Sequence, residues 1–306
     1  MMQQLIHFSK ITEINKEIVL GIGKFDGVHL GHQKLLSMIV KEAKKEGRVP
    51  AVITFKNFPV EFLLCSWEEK LALLRYWGIK VCIWCNFDEI SHLSPENFLD
   101  ILLEAGVKTI VIGYNFRFGK ERRGDVKFLM KKSKEKDFSL IVVPSFKKDG
   151  EIVSASKIRE MIKDGRIEKA NKLLGRYFSI SGKVIKGKGI GRKLGFPTAN
   201  LFLQNSVCIA NGVYAGWTLY NRKIYKSAIV TGISPTFNDN TEKFEVFLID
   251  FPFTKKIYNQ KLRVFLYKKL RAQRKFEDEL QLQRQIRKDI EKINNLLEKV
   301  IPPDFK

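Results

Sequence analysis

Up to about Gly175, short apolar runs alternate with longer stretches whose apolar residues recur at helical spacing. Ile18–Gly23, Ala51–Phe55, Val81–Phe87, Thr109–Gly113 and Leu140–Pro144 read as strands. Between the first two, Leu35, Leu36, Ile39, Val40 and Ala43 make one apolar helical stripe. A further helix is punctuated by Ser94 as N-cap, Pro95 at its first position and Gly106 just past its end. Strands that alternate with helices predict a parallel sheet covered on both faces. Ligands of such sheets collect at the carboxyl ends of the strands.

After Gly182 the rhythm changes and helical stretches are no longer expected until Phe276. Val184-Ile185, Val213–Tyr220, Tyr225–Val230, Phe244–Phe251 and Leu262–Tyr267 follow one another with glycine and proline turns between them. That pattern predicts an antiparallel sheet closed into a small barrel. From Phe276 to Val300 the residues Phe276, Leu280, Ile286, Ile290, Ile293 and Leu297 form a helical stripe without a strict heptad. A terminal helix packed on the barrel is expected rather than a coiled coil. The change of rhythm divides the chain into an expected domain 1–178 and a second, 179–306.

A length of 306 residues with 44% hydrophobic content supplies a core for each of two domains. No apolar run reaches the length of a membrane span, and the first residues lack the basic start and apolar middle of a secretory signal. A cytoplasmic protein with no membrane partner is expected. The four cysteines do not suit a disulfide framework. Cys82 and Cys85 lie on a strand, where residues three apart point to opposite faces, so packing is expected of them rather than metal binding. Against 33 Asp and Glu stand 55 Lys and Arg, a net charge of +22 that attracts polyanions. The excess is spread along the chain, without a basic tail, zinc finger or RNA-recognition signature, so no nucleic-acid partner is expected. Part of the charge is free to serve nucleotide phosphates.

The first candidate chemistry lies at the end of the first strand, in the run Gly21-Ile22-Gly23-Lys24-Phe25-Asp26-Gly27-Val28-His29-Leu30-Gly31-His32. Glycines there let backbone approach a ligand, and the next helix offers free N–H groups and a positive dipole end. His29 and His32, three apart and expected on one helical face, can donate to the oxygens of a nucleotide α-phosphate, while Asp26 and Gly27 shape the turn. In Gly113-Tyr114-Asn115-Phe116-Arg117-Phe118-Gly119 a strand runs out into a loop holding an amide, a guanidinium and aromatic rings. Such groups can bind a base or a flavin phosphate. In Ser154-Ala155-Ser156-Lys157-Ile158-Arg159, serines are placed to cap a helix whose first turn can meet phosphate, with Arg159 reaching the same anion.

The run Gly187-Lys188-Gly189-Ile190-Gly191-Arg192-Lys193-Leu194-Gly195-Phe196-Pro197-Thr198-Ala199-Asn200 opens the second candidate site. Beyond it come Asn211-Gly212-Val213-Tyr214, Ser234-Pro235-Thr236-Phe237, Glu245-Val246-Phe247-Leu248-Ile249-Asp250-Phe251, Leu270-Arg271 and Lys275-Phe276. With these motifs the second half resembles the riboflavin kinase module of bacterial bifunctional riboflavin kinase/FAD synthetases. The first half resembles their FMN adenylyltransferase module, which carries the His-x-Gly-His signature.

The resemblance implies a fold of class α/β plus β: a Rossmann-like nucleotidyltransferase domain followed by a small antiparallel β-barrel with a C-terminal helix. It implies ATP, riboflavin, FMN and FAD as substrates or products, with Mg²⁺ as cofactor. Gly21, Phe25, Asp26, Gly31, Asn115, Arg117, Ser154 and Ser156 are then expected to bind nucleotide or flavin in the first half, around His29, His32 and Arg159. In the second half Lys188, Gly189, Gly191, Arg192, Gly195, Phe196, Pro197 and Arg271 are expected to line the site. A glycine- and lysine-rich loop can wrap ATP phosphates, and the Thr198 hydroxyl and Asn200 carbonyl are hard oxygen ligands suited to Mg²⁺. Glu245 is the expected general base for the 5′-hydroxyl of riboflavin. The sequence departs from the family pattern at Asn57-Phe58, Val230-Thr231, Phe247 and Gln273, and Lys24 stands in a variable slot before Phe25.

Overall fold

The computed structural model describes residues 4–203, 207–234, 239–252 and 257–304. Pro235, Thr236 and Phe237 of the expected kinase motif lie outside the described residues. Contacts divide the chain into two compact units, Met1–Val60 with Cys65–Ala155 and Glu61–Leu64 with Ser156–Lys306.

In the first unit six strands form one sheet among the described residues. They are β1 (Gln4–His7), β2 (Ile18–Ile22), β3 (Val49–Phe55), β4 (Val81–Cys85), β5 (Val107–Gly113) and β6 (Ser139–Val143). Their order is β1-β4-β3-β2-β5-β6, and every neighbouring pair is parallel. All five residues of β2 are buried, as a central strand covered on both faces requires. Ile18, Leu20 and Ile22 join one hydrophobic cluster and Val19 the other, so a single apolar run serves two cores. On β4, Cys85 and Cys82 divide between the same two clusters. Burial pushes both thiols up to about 12, which keeps them protonated and inert.

Five helices cover this sheet: α1 (Leu30–Glu46), α2 (Trp67–Tyr76), α3 (Phe87–Ser91), α4 (Pro95–Glu104) and α5 (Val126–Glu135). The stripe on α1 buries Leu35, Leu36, Ile39 and Ala43, and Gly47 ends the helix at φ 68°. Ser94 accepts from the Asn97 N–H and Pro95 opens α4, as its punctuation foretold. One expectation needs correction, and one strand was not foreseen. Phe87 does not end a strand but begins α3, where Asp88 and Glu89 in the first turn favour helix over extension. The edge strand β1 has no apolar run, since Leu5 faces solvent, and its pairing with β4 decides its conformation.

In the second unit α6 (Ala155–Lys163) and α7 (Ile167–Leu174) precede the barrel. Asn171 on α7 donates to the Leu266 carbonyl at 2.9 Å and accepts from the Phe178 N–H at 2.7 Å. That amide ties α7 to two barrel strands.

The barrel strands are β7 (Phe178–Ile185), β8 (Ala199–Leu203), β9 (Gly212–Tyr220), β10 (Lys223–Ser234), β11 (Asp239–Leu248) and β12 (Lys261–Arg271). They close in the order β7-β8-β11-β10-β9-β12. One short helix, α8 (Ile190–Lys193), interrupts the expected all-strand stretch, entered through Gly189 at φ 74°. The terminal helix α9 (Glu279–Glu298) packs Ile293 and Leu297 against Ala215, Trp217, Ala228 and Phe265 of the barrel wall. Leu280 of the expected stripe is exposed instead, one residue inside the first turn.

At Gly21, strand β2 leaves no room between itself and α1. A Cβ on Gly21 would meet Cδ1 of Ile39 far inside van der Waals distance. Gly21→Ala is expected to destabilise this unit by about 1–3 kcal/mol through overpacking. The added change Ile39→Val, which removes that Cδ1, is expected to restore part of the loss in denaturant unfolding monitored by circular dichroism.

Candidate active sites

The sheet order places β3 and β5 on opposite sides of β2, so the chain changes direction at β2, where α/β sheets open a crevice beyond their carboxyl ends. The His-x-Gly-His run leaves the carboxyl end of β2, and the Asn115–Arg117 loop leaves that of β5. Topology thus brings the two loops to one end of the sheet.

The turn after β2 is backbone held out of its usual basins. Phe25 at φ 46° and Val28 at φ 38° are left-handed without being glycine. Such residues cost on the order of 1–3 kcal/mol each and persist only where their surroundings over-determine them. Here the surroundings do. Phe25 and Val28 are fully buried, Asp26 is buried, and the Gly27 N–H donates to the Cys65 sulfur at 3.3 Å. Thr54 Oγ1 and Lys70 Nζ both donate to the Lys24 carbonyl, at 2.9 and 3.0 Å.

His29 is not on the helix face expected for it; it is the N-cap of α1. Its Nδ1 accepts the His32 N–H at 3.3 Å, so a neutral His29 carries its proton on Nε2 and presents that nitrogen as a donor. The two imidazoles stack with centroids 3.7 Å apart. Gly31 makes room for this, since a Cβ there would lie 3.2 Å from the His29 ring. The same position is 3.6 Å from the Val153 carbonyl, so the segment entering Ser154 runs beside the first turn of α1. His32 has its Nδ1 enclosed without a partner. Burial, then the neighbouring His29 and Lys70, hold its pKa well below the ordinary 6.5.

The remaining expected residues of this half are less enclosed. Asn115 is exposed and lies just past Gly113 at the end of β5. Arg117 is exposed, with its Nη1 3.8 Å from Asp125. Ser156 and Arg159 belong to the second unit, where Arg159 Nε donates to the Phe62 carbonyl at 2.7 Å. The departure at Phe58 meets the variable slot: the Lys24 ammonium sits 3.5 Å from the centroid of the Phe58 ring, which also packs on Phe55 and Phe87.

The second site is a cavity of about 400 Å³ at one end of the barrel, within the size range of small-molecule pockets. Strand register builds it. Ile185, Asn200, Glu245, Val230, Val213 and Arg271 are successive directly opposed residues on β7, β8, β11, β10, β9 and β12. All six line the cavity, so one row of cross-strand neighbours makes its wall. The Gly187–Thr198 loop adds a second wall: Lys188, Gly189, Gly191, Arg192, Phe196 and Pro197 all line the cavity. Gly195, at φ 83°, turns that loop.

Thr198 Oγ1 donates to Glu245 Oε2 at 3.2 Å, and Asn200 stands opposite Glu245 in the ladder. A Cβ on Gly187 would run into the Asn200 amide, so the loop lies directly against it. A hydroxyl, an amide oxygen and a carboxylate converge, a set of hard oxygen donors that fits Mg²⁺ together with phosphate oxygens. Arg271 is held from behind by Asp289 of α9, with Nη2 donating at 2.7 Å and Nε at 3.0 Å to Oδ2.

Sequence reading missed Lys243, Tyr258, Arg274 and Asp289, which also line the cavity. Strand pairing brings Lys243 there, the docking of α9 brings Asp289, and the loops flanking β12 bring Tyr258 and Arg274. Among the departures, Val230, Phe247 and Gln273 all line this wall, and Phe247 stands edge-on to Phe196 at 5.9 Å. In the first unit the missed residue is Lys70. Its signal is a lysine four residues before the fully buried Leu74, on the same face of α2.

An FAD synthetase family model matches residues 11–157 and a riboflavin kinase family model matches residues 174–297. A bifunctional riboflavin kinase/FMN adenylyltransferase of Buchnera aphidicola is 38% identical over 296 residues, covering 92% of this chain and 94% of the relative. The Escherichia coli protein of that description is 34% identical, with 89% and 90% covered, and that of Bacillus subtilis 33%, with 91% and 92% covered. A solved Streptococcus pneumoniae structure described as a macrolide-efflux protein superposes with a TM-score of 0.85 at 28% identity. It covers 95% of this chain and 99% of that chain. Among the described residues of this chain, no helix is long and apolar enough to cross a membrane.

The depressed pKa of His32 has a consequence for stability. As pH falls through 6.5 the unfolded chain takes up a proton that the folded ring refuses, so stability is lost from 6.5 downward to the lowered folded value. His32→Gln is expected to flatten that part of the acid limb when denaturant midpoints are compared between about pH 7 and about pH 5.

Proposed function

The chain belongs to the family of bifunctional riboflavin kinase/FMN adenylyltransferases, and on that basis we propose which side chains serve each of its two reactions. The barrel module phosphorylates riboflavin with ATP to give FMN. The sheet module transfers the adenylyl group of ATP to FMN, giving FAD and pyrophosphate. The functional division is taken at 1–178 and 179–306, with the enzyme in the cytoplasm, where ATP is supplied and its thiols stay reduced.

For the kinase, the observation that carries the assignment is the hydrogen bond from Thr198 to Glu245 inside the cavity. Glu245 takes the proton of the riboflavin 5′-hydroxyl as that oxygen bonds to the γ-phosphorus and the bond to ADP breaks. The Gly187–Arg192 loop lies over the nucleotide phosphates with Lys188 and Arg192 as counter-charges. Thr198 and Asn200 would hold Mg²⁺, and the ion would supply neutralisation of phosphate charge. Gly189, Gly191, Gly195, Phe196 and Pro197 shape the cleft, and Arg271, fixed by Asp289, closes its wall.

For adenylyl transfer, the stacked His29–His32 pair at the end of β2 supports direct attack of the FMN phosphate on the α-phosphate of ATP. A P–O bond forms as the bond to pyrophosphate breaks, and no protein nucleophile intervenes. His29 Nε2–H and His32 stabilise the charge that grows on the transferring phosphate. Gly21, Phe25, Asp26 and Gly31 hold the turn, and Asn115, Arg117 and Ser154 face the flavin or nucleotide. The roles of Ser156 and Arg159 in this reaction rest on the family resemblance alone.

Glu245→Gln is expected to lower FMN formation from riboflavin by about 10²–10⁴ and leave FAD formation from supplied FMN intact. His32→Ala is expected to do the reverse, by about 10²–10³. Chromatography of flavins after incubation with ATP and Mg²⁺ reads both. Loss of both reactions from either change would refute separate sites.

A further inference from the structure

We infer that Lys70, which lies in neither motif, is a positioning residue for adenylyl transfer, its ammonium fixing the peptide between Lys24 and Phe25 and with it the histidine turn. The inference rests on the assignment of His29 and His32 to that reaction.

Lys70 is only 3% exposed. A lysine is almost never buried so deeply unless its charge is met. Its ammonium donates to the Lys24 carbonyl at 3.0 Å and to the Phe55 carbonyl at 2.9 Å, and lies 5.6 Å from the centroid of the Trp67 ring. Phe55 is the last residue of β3, and Lys24 lies just beyond β2. One cation therefore laces together the carboxyl ends of two adjacent strands, at the edge where the sheet presents its site.

The laced carbonyl belongs to the peptide that leads into Phe25, whose left-handed backbone begins the turn. It takes a second donor, Thr54 Oγ1, from β3. With its orientation held by two donors, the peptide cannot rotate toward the conformations Phe25 would otherwise prefer. The Phe25 ring lies 5.3 Å from that of His32, and the Phe25 carbonyl accepts the Val28 N–H. A relaxed Phe25 would displace both the His32 ring and the residue before the His29 cap.

The buried charge also acts at a distance. Burial lowers the pKa of Lys70 from its ordinary 10.5, with nearby Asp26 acting the other way, and after burial His29 and Lys70 bear on His32. Lys70 thus helps to keep the His32 ring neutral from beneath a turn assigned to polyanionic substrates. Neither role requires Lys70 to touch substrate.

The test uses the full-length chain and four variants. Lys70→Met keeps volume and removes charge and donors; Thr54→Val removes the other donor to the same carbonyl. Lys70→Met is expected to lower kcat for FAD formation about ten- to a hundredfold, the scale of a misplaced catalytic group, with riboflavin phosphorylation unchanged in the same preparation. The acid limb of its FAD-forming profile is expected to move to higher pH, which a merely structural lysine would not cause. Thr54→Val is expected to give a smaller loss, and the double variant no more than Lys70→Met alone, because both act through one carbonyl. Wild-type kcat and acid limb in Lys70→Met, beside an impaired His32→Ala, would overturn the inference. So would wild-type FAD formation by Thr54→Val if Lys70→Met fails to fold. An unimpaired His32→Ala would instead overturn the assignment of the histidines, and the inference with it.

Discussion

Hydrogen-bond register between strands is the constraint on which both halves of the molecule depend. In the barrel, a row of directly opposed residues runs from Ile185 through Asn200, Glu245, Val230 and Val213 to Arg271. Side chains alternate along each strand, so a slip of one residue on β11 would turn Glu245 from the cavity to the opposite face. In the sheet, parallel pairing of β2 with β3 and β5 brings their carboxyl ends level and gathers the loops beyond them. The chemistry of each half is therefore set by which motif residues backbone pairing brings face to face.

Onto that frame each site adds a turn that would not hold its shape alone. The histidine turn contains two left-handed residues that are not glycine, kept in place by burial and by donors from β3 and α2. The loop over the barrel cavity relies on glycines where another backbone segment or the Asn200 amide leaves no room for a methyl group. The difference has a physical source. The first turn is walled in by a hydrophobic core and can be over-determined, whereas the second lies at the surface and must be permissive.

The departures from the family pattern also fall into place by position. Lys24 and Phe58 form a cation–π contact with each other. Val230, Phe247 and Gln273 gather on one wall of the barrel cavity. None of these replaces the Thr198–Glu245 pair or the histidine stack.

Much of this was legible along the chain. Unbroken apolar runs announce strands buried on both faces, a Ser-Pro start and glycine end announce α4, and the two glycine-containing runs announce phosphate chemistry, because each signal is local and set by neighbours in sequence. Other features depend on partners far away along the chain and left no local signal. The edge strand β1 exists because β4 offers it hydrogen bonds, His29 becomes a cap rather than a helical residue because the turn before it is left-handed, and α7 joins the barrel through Asn171. Lys70 shares the inward face of α2 with Leu74, but only folding shows that its ammonium meets the loop of another strand. Residue order along the chain was enough to specify two architectures and the chemical types at their sites; which of those groups meet is settled on folding, since long-range register and burial are properties of the closed fold.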